Sequence, residues 1–110
     1  MRIDRERLLD MLEAIEKIEK YSVRGWAVFQ EDELIQNWII SQIRILGEAA
    51  RALTDDFRKA HPQIPWYHLI GMRNILVHQY FGIDHEIVWE VVIKDLPRLK
   101  AQIQNILGEF

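Results

Sequence analysis

Cysteine is absent from this 110-residue sequence, which excludes disulfide bonds and thiolate metal sites and suits a reducing compartment. Glycine (5) and proline (3) are scarce, so the sequence has no long flexible linker or low-complexity segment. No apolar run approaches the roughly 20 residues that a membrane-spanning helix needs. The sequence also has no excess of positive charge, and its formal net charge is -3. Bulk electrostatic binding of duplex nucleic acid is therefore not expected, although a few local cations would suffice to hold one phosphate.

The residues that are present have the proportions of an ordinary globular domain, with 49% hydrophobic and 28% charged residues. A chain of this length fits one domain, so residues 1–110 are expected to fold as a single unit. The first residues are mostly charged and lead into an amphipathic pattern rather than the apolar core of a signal peptide. We therefore expect a cytoplasmic protein that does not contact the membrane.

Helical periodicity runs through the first half of the chain. Apolar residues recur at helical spacing over residues 3–20, and a second helix is predicted from about residue 26 or 32 through residue 53. Both starts remain open, because the apolar residues between 23 and 29 also suit a loosely packed turn. The residues predicted to form the inner sides of these helices are Leu8, Met11, Leu12, Ile15, Ile18, Leu34, Ile35, Trp38, Ile39, Gln42, Ile45, Leu46 and Ala49.

Local signals define the ends of the next two helices. Thr54, which is followed by two aspartates, is a predicted N-cap for a short helix that Pro62 should end. Pro65 suits the first turn of the following central helix. Gly82 suits the C-terminal cap of that helix.

The last helical region is predicted to begin at the N-cap Asp84. Pro97 should kink or restart this helix near Asp95. No alternating strand pattern appears anywhere, so the predicted fold class is an all-α bundle of four or five helices. The apolar set of the last region is Ile87, Val88, Val91, Val92, Leu96, Leu99, Ile103, Ile106 and Leu107.

Residues 69–81 form the stretch around which the chain is organised. Their apolar residues project around most of a helical circumference, which is typical of a helix buried on several sides. Arg73, Asn74, His78 and Tyr80 interrupt that apolar surface. Because buried charged groups need partners or a wet cleft, this helix carries either a structural polar network or a site.

Helical geometry does not bring three of these side chains together. At 100° per residue, Arg73 and Tyr80 lie about 20° apart, whereas His78 lies about 140° from Arg73. Two explanations remain open. Either the last turn departs from α-helical geometry before Gly82, or a second copy of the helix supplies the missing partner across a two-fold axis.

The four polar residues carry groups that suit acid–base catalysis and phosphate binding. His78 suits the base or the acid, because histidine titrates close to neutral pH. Arg73 suits phosphate binding through two N–H donors, and Asn74 adds a neutral hydrogen bond. Tyr80 offers a phenol that suits hydrogen bonding to a phosphate.

Each residue taken alone has an ordinary structural explanation. Arg73 would pair with an acid such as Glu48, His78 would cap the helix C-terminus, and Tyr80 would lie at the edge of the core. Their joint occurrence on an otherwise apolar helix favours a site.

The other polar and aromatic residues have simpler interpretations. Glu48 forms a series with Arg44 and Arg51 at helical spacing, which predicts a solvated face, and a role in orienting Arg73 is the alternative. The four histidines lack the spacing of metal ligands, so neither a metal nor a cofactor is expected. The four tryptophans are interpreted as core or dimer-interface anchors.

The sequence around this motif resembles a known family. The stretch from Arg73 to Tyr80 fits the Arg-x4–6-His motif of the HEPN superfamily, and its His-x-Tyr form resembles the HepT toxins that pair with minimal nucleotidyltransferase antitoxins of the MntA type. The resemblance covers nearly the whole chain. It includes the leading amphipathic helix, Ile-Leu-Gly-Glu-Ala-Ala at 45–50, Ile-Pro-Trp at 64–66, Gly-Met-Arg-Asn at 71–74 and Phe-Gly-Ile-Asp at 81–84.

The resemblance implies a HEPN-like helical homodimer with two copies of the motif helix at its interface, which form a composite cleft. It implies a metal-independent ribonuclease toxin in which Arg73 and His78 are catalytic and Asn74 and Tyr80 bind the RNA. It further implies that the antitoxin silences the toxin by transferring adenylyl groups to Tyr80.

Two other functions remain open. One is a non-catalytic helical dimer that binds a nucleotide or a partner, which the acidic net charge favours slightly because it attracts RNA weakly. The other is a structural module in which the polar motif only fixes the register of the dimer.

Overall fold

A computed structural model of the chain describes the backbone of residues 2–78 and 82–110 and the side chains of residues 3–72 and 82–110. These residues contain helices and no strand, which confirms the all-α class. None of the helices in this described part is long and apolar enough to span a membrane. In chain order the elements are α1 (Arg2–Ser22), α2 (Trp26–Glu31), α3 (Glu33–Ala52), α4 (Asp55–Ala60), α5 (Trp66–His78), α6 (His85–Glu90), a π-helical turn (Val91–Asp95) and α7 (Leu96–Gly108).

The core lies where the long helices meet. α3 packs against both α1 and α5, and α7 packs along α1. Leu8, Met11, Ile15 and Ile18 of α1 are fully buried, as their helical spacing predicts. The buried residues of the π-helical turn and α7, all from the predicted apolar set, are Val91, Val92, Leu96, Leu99, Ile103 and Ile106.

Both predicted starts of the second helix, near residues 26 and 32, are helix starts in the structure, one of α2 and one of α3. α2 begins at Trp26 after Gly25, whose φ of 90° lies in the left-handed region that favours glycine. The backbone of Asp32 is extended, and its Oδ1 accepts hydrogen bonds from the N–H groups of Leu34 (3.0 Å) and Ile35 (3.2 Å). This cap starts α3, so the span predicted as one helix contains two.

Three other local predictions are confirmed. The hydroxyl of Thr54 accepts a hydrogen bond from the N–H of Phe57 over 3.2 Å and starts α4. The Oδ1 of Asp84 accepts a hydrogen bond from the N–H of Glu86 over 2.9 Å and starts α6. Pro97 lies in the first turn of α7, where the helix restarts after the π-helical turn. The predicted last turn of the central helix, residues 79–81, lies outside the described residues.

Four predicted core positions are wrong. Leu34 is 81% exposed and Ile87 is 61% exposed, and the side chains of Trp38 and Ile45 are also exposed. The apolar residues of α3 cover more than one face, so periodicity alone does not choose the inward one. The structure turns inward the stripe that contains Ile35 and leaves the neighbouring stripe at the surface.

Candidate functional site

All the site residues predicted from the sequence lie on or directly after α5. Its backbone is α-helical from Trp66 to His78, which places Arg73, Asn74 and His78 within the helix. The side chains of these last three residues, and the whole of Tyr80, lie outside the described residues. The geometry of the site therefore comes from the register of the α5 backbone.

The N-terminal end of α5 is anchored in the core. Trp66 is 5% exposed, and its indole Nε1 donates a hydrogen bond to the carbonyl oxygen of His61 over 2.9 Å. Leu69 is also buried, and its N–H donates to the carbonyl oxygen of Pro65 over 3.1 Å. Pro65 thus lies directly before the first helical residue, where its missing N–H costs no helical hydrogen bond. These contacts fix the rotation of α5 about its own axis.

The register of α5 divides the site residues between two faces. At 100° per residue, the backbone of position 73 lies about 20° from that of Trp66, which is buried. The backbone of position 78 lies about 20° from that of Tyr67, whose side chain is 91% exposed. Positions 74 and 78 therefore lie on the same stripe of the helix as Tyr67, and position 73 lies on the stripe of Trp66.

Gly71 lies in the middle of the stripe that begins at Tyr67, one turn after that residue. A Cβ atom built on it would meet no atom of the described residues within 4 Å. The stripe thus runs from an exposed aromatic ring, past a glycine, to position 78.

The angular separation predicted from the sequence persists within one chain. An early departure from α-helical geometry would have brought Arg73 and His78 together, but the backbone is α-helical through residue 78. Positions 73 and 78 therefore remain about 140° apart. The turn before Gly82, where the first explanation places a departure from helical geometry, lies outside the described residues, and the second copy of the helix stays a prediction.

A cavity of about 370 Å³ lies between α3 and the segment that follows α5. Sequence patterns alone predict only a solvated face for its Arg44 and no role for its His85. Their convergence comes from the packing of two elements that are far apart in the sequence. The polar lining residues are Glu33, Asn37, Ser41, Arg44 and His85, and the apolar ones are Ile40 and Ile83.

Other cavities of the described part adjoin α5 and the pair of α1 and α3. One of about 660 Å³ lies beside Tyr67 at the start of α5, and its wall includes Arg58, which forms an ion pair with Asp55. Another of about 260 Å³ lies between α1 and α3 and is lined in part by Gln42 and Glu48. Across the part of the chain that the structure describes, no three His, Asp or Glu side chains cluster closely enough to hold a metal ion.

The predicted solvated face of α3 is confirmed, since Arg44, Glu48 and Arg51 are all exposed. The alternative role of Glu48 toward Arg73 lies outside the described residues, because the Arg73 side chain is not among them.

A family model comparison matches residues 11–106 to the family described as ribonuclease HepT-like. The match includes positions 73, 74, 78 and 80 and nearly all of the helical bundle. No solved structure matches the chain significantly.

Several curated proteins are similar to the chain over most of its length. The protein named "Probable ribonuclease HepT" from Thermococcus cleftensis is 36% identical over 106 residues, which cover 96% of each chain. A "Putative RNase" from Methanocaldococcus jannaschii is 35% identical over 100 residues, which cover 90% of this chain and 92% of the relative. A longer protein of the same organism, named "Gamma-glutamylcyclotransferase and putative RNase", is 41% identical over 101 residues, which cover 46% of that relative.

Proposed function

Because the chain belongs to the HepT-like ribonuclease family, we propose that it is the ribonuclease toxin of a toxin–antitoxin system and cleaves RNA without a metal ion. The family match over residues 11–106 is the observation that carries this proposal. The register of α5 supports it further, since the backbone of position 78 lies on the same stripe as Gly71 and the exposed Tyr67.

In this proposal Arg73 and His78 are the catalytic residues. His78 takes the proton from the 2′-hydroxyl or gives one to the leaving oxygen, and Arg73 stabilises the charge that grows on the phosphate. Asn74 and Tyr80 bind the RNA phosphate through hydrogen bonds. No step of this chemistry requires a metal ion.

The proposed active form is a homodimer. Positions 73 and 78 lie about 140° apart on one α5, so a cleft that contains both groups requires a second α5 across a two-fold axis. Arg73 of one protomer and His78 of its partner then approach one scissile phosphate.

The proposed regulation is adenylylation of Tyr80 by a nucleotidyltransferase antitoxin. An adenylyl group on the phenol adds bulk and a negative phosphodiester next to the helix that carries Arg73. That phosphodiester competes with RNA phosphate for the same guanidinium, so the modification blocks the cleft by occupancy and by charge.

A second function, a non-catalytic dimer that binds a nucleotide or a partner, is favoured by one observation. The formal net charge of -3 gives RNA little long-range attraction to the protein. In this alternative the same stripe of α5 binds its ligand without cleaving it.

RNA cleavage by single variants separates the two functions. His78→Ala should abolish cleavage and growth arrest while the protein stays folded, and Arg73→Ala should weaken both by removing the cation. His68→Ala is the matched control, because His68 is an exposed histidine on the same helix. Chelators should have little effect.

Two results would contradict the ribonuclease assignment. One is a folded His78→Ala protein that cleaves RNA at the wild-type rate in a preparation without contaminating nuclease. The other is a wild-type protein that binds RNA but leaves it intact, which would support the non-catalytic alternative.

A further inference from the structure

The cavity between α3 and the segment after α5 lies next to the motif along the chain. Ile83 and His85 belong to its wall, and only residues 79–81 separate α5 from the described segment that begins at residue 82. Ile83 follows Tyr80 by three positions, so the motif and this wall of the cavity are close neighbours in the sequence.

Arg44 contributes a positively charged side chain to the cavity wall. It is exposed, and within the described ranges its guanidinium has neither an ion pair nor a hydrogen bond. Arg58 is a useful contrast, because its guanidinium pairs with Asp55 and also donates to the carbonyl oxygen of Ala50 over 3.4 Å. The donors of Arg44 are thus available to an anion, whereas those of Arg58 are occupied by the fold.

Neutral donors lie on the same face of α3 as Arg44. Asn37, Ser41 and Arg44 occupy positions i, i+4 and i+7, which lie within about 60° of one another on a helix. An amide, a hydroxyl and a guanidinium along one face match the several oxygens of a phosphate group.

His85 adds a second basic group from a different element. It is the first residue of α6, and its ring packs edge-on against Phe29 with the ring centroids 5.9 Å apart. The only acid in the described cavity wall is Glu33, so Arg44 and His85 together face one carboxylate. Ile40 and Ile83 complete the wall with apolar surface that suits a sugar or a base.

We propose that this cavity is a subsite for a nucleotide phosphate next to the motif, with Arg44 as its principal phosphate ligand. Its volume of about 370 Å³ lies within the roughly 300–1,000 Å³ of small-ligand pockets. This inference rests on the proposed function, because it treats the motif as a site that acts on nucleotides. The phosphate belongs either to an RNA residue beside the scissile bond or to an adenylate group.

Binding measurements with two probes test the subsite. The probes are a single-stranded RNA oligonucleotide with 2′-O-methyl sugars, which the ribonuclease reaction cannot cleave, and AMP. Arg44→Gln should weaken oligonucleotide binding about tenfold, as expected for the loss of hydrogen bonds to a charged group. It should also reduce the slope of the logarithm of the binding constant against the logarithm of the salt concentration by about 0.7, which is the value for one phosphate of a single strand.

The matched control is Arg98→Gln, which removes the same charge from an exposed arginine on α7. It should change binding less than twofold. A loss of AMP binding in Arg44→Gln would identify an adenylate subsite, and a loss of oligonucleotide binding alone would identify a subsite for the RNA chain. Both results support the proposal.

Two outcomes would overturn the subsite. One is Arg44→Gln protein that binds both probes as Arg98→Gln does, and the other is wild-type protein that binds neither probe. Cleavage of unmodified RNA by the wild type separates this failure from failure of the proposed function. If the chain cleaves RNA and its binding does not depend on Arg44, the subsite proposal is wrong and the proposed function stands. If binding depends on Arg44 but the wild type does not cleave RNA, the subsite proposal stands and the ribonuclease function is wrong.

Discussion

The carboxylate of Asp4 accepts two hydrogen bonds from Thr54, one from the backbone N–H over 2.9 Å and one from the hydroxyl over 2.8 Å. Asp4 is only 1% exposed. The same Thr54 hydroxyl accepts a hydrogen bond from Phe57 and caps α4. The start of α1 is thereby joined to the turn between α3 and α4, which leads the chain toward α5.

Asp4→Ala should lower the free energy of unfolding by about 2–3 kcal/mol, because it removes a buried carboxylate that accepts two hydrogen bonds from Thr54. Urea unfolding measures the change. Asp10→Ala is the control, since Asp10 is exposed and its ion pair with Arg7 is 3.6 Å long, so its loss should cost less than about 1 kcal/mol. Equal losses in the two variants would contradict the role of Asp4.

Gln42→Leu should raise the free energy of unfolding by about 1 kcal/mol. The Oε1 of Gln42 is buried and has no hydrogen-bond partner among the residues that the structure describes, and leucine removes that acceptor. Gln36→Leu is the matched variant on the same helix and should have the opposite sign, since the Gln36 Nε2 donates to the carbonyl oxygens of Phe29 (2.9 Å) and Gln30 (3.0 Å). A destabilised Gln42→Leu protein would show that the amide has a partner in solution.

Lys100 should make the stability of the protein depend on pH in the alkaline range. Its Nζ donates to the Oε1 of Glu19 over 2.8 Å, and this hydrogen bond raises the pKa of Lys100 above its ordinary 10.5. A lysine whose pKa is raised on folding stabilises the protein below its unfolded pKa, and this contribution disappears as the pH rises through the folded pKa.

The stability difference between wild type and Lys100→Met should therefore stay constant from pH 7 to about 10 and shrink above about 10.5. Urea midpoints across this range measure it. Lys59→Met, which alters an exposed lysine on α4, controls for the general effect of losing one positive charge. A difference that persists unchanged at pH 11.5 would exclude the Glu19 pair as its source.

We expect a homodimer at micromolar concentration, because the positions of Arg73 and His78 diverge on one α5 and a composite cleft needs two copies. Static light scattering coupled to size exclusion measures the mass in solution. A mass of one chain under these conditions would remove the composite cleft from the proposed mechanism.

Tyr80→Phe should abolish adenylylation by the partner nucleotidyltransferase in the presence of ATP and Mg²⁺, and the variant should escape neutralisation if it stays toxic. In the proposed regulation the phenol oxygen receives the nucleotide, and phenylalanine lacks this oxygen. Tyr67→Phe is the matched control, because Tyr67 is an exposed tyrosine on the motif helix. Intact mass and peptide mapping identify the adduct, and an adduct on another residue with Tyr80 unmodified would contradict the proposal.

The sequence alone was enough to predict the features that depend on residues close together in the chain. The caps at Thr54 and Asp84 join groups two or three residues apart, and Pro97 acts within its own turn. The angular separation of Arg73 and His78 also follows from their spacing in the chain, because a regular helix turns by a fixed angle at each residue.

The tertiary structure decided which faces meet. Leu34 and Ile35 are adjacent and both apolar, yet only Ile35 is buried, because the choice depends on where α1 and α5 lie against α3. The contacts of Asp4 with Thr54 and of Glu19 with Lys100 join residues 50 and 81 positions apart. Helical periodicity repeats every 3.6 residues and carries no information about such distant partners, so only the packing of the bundle brings them together.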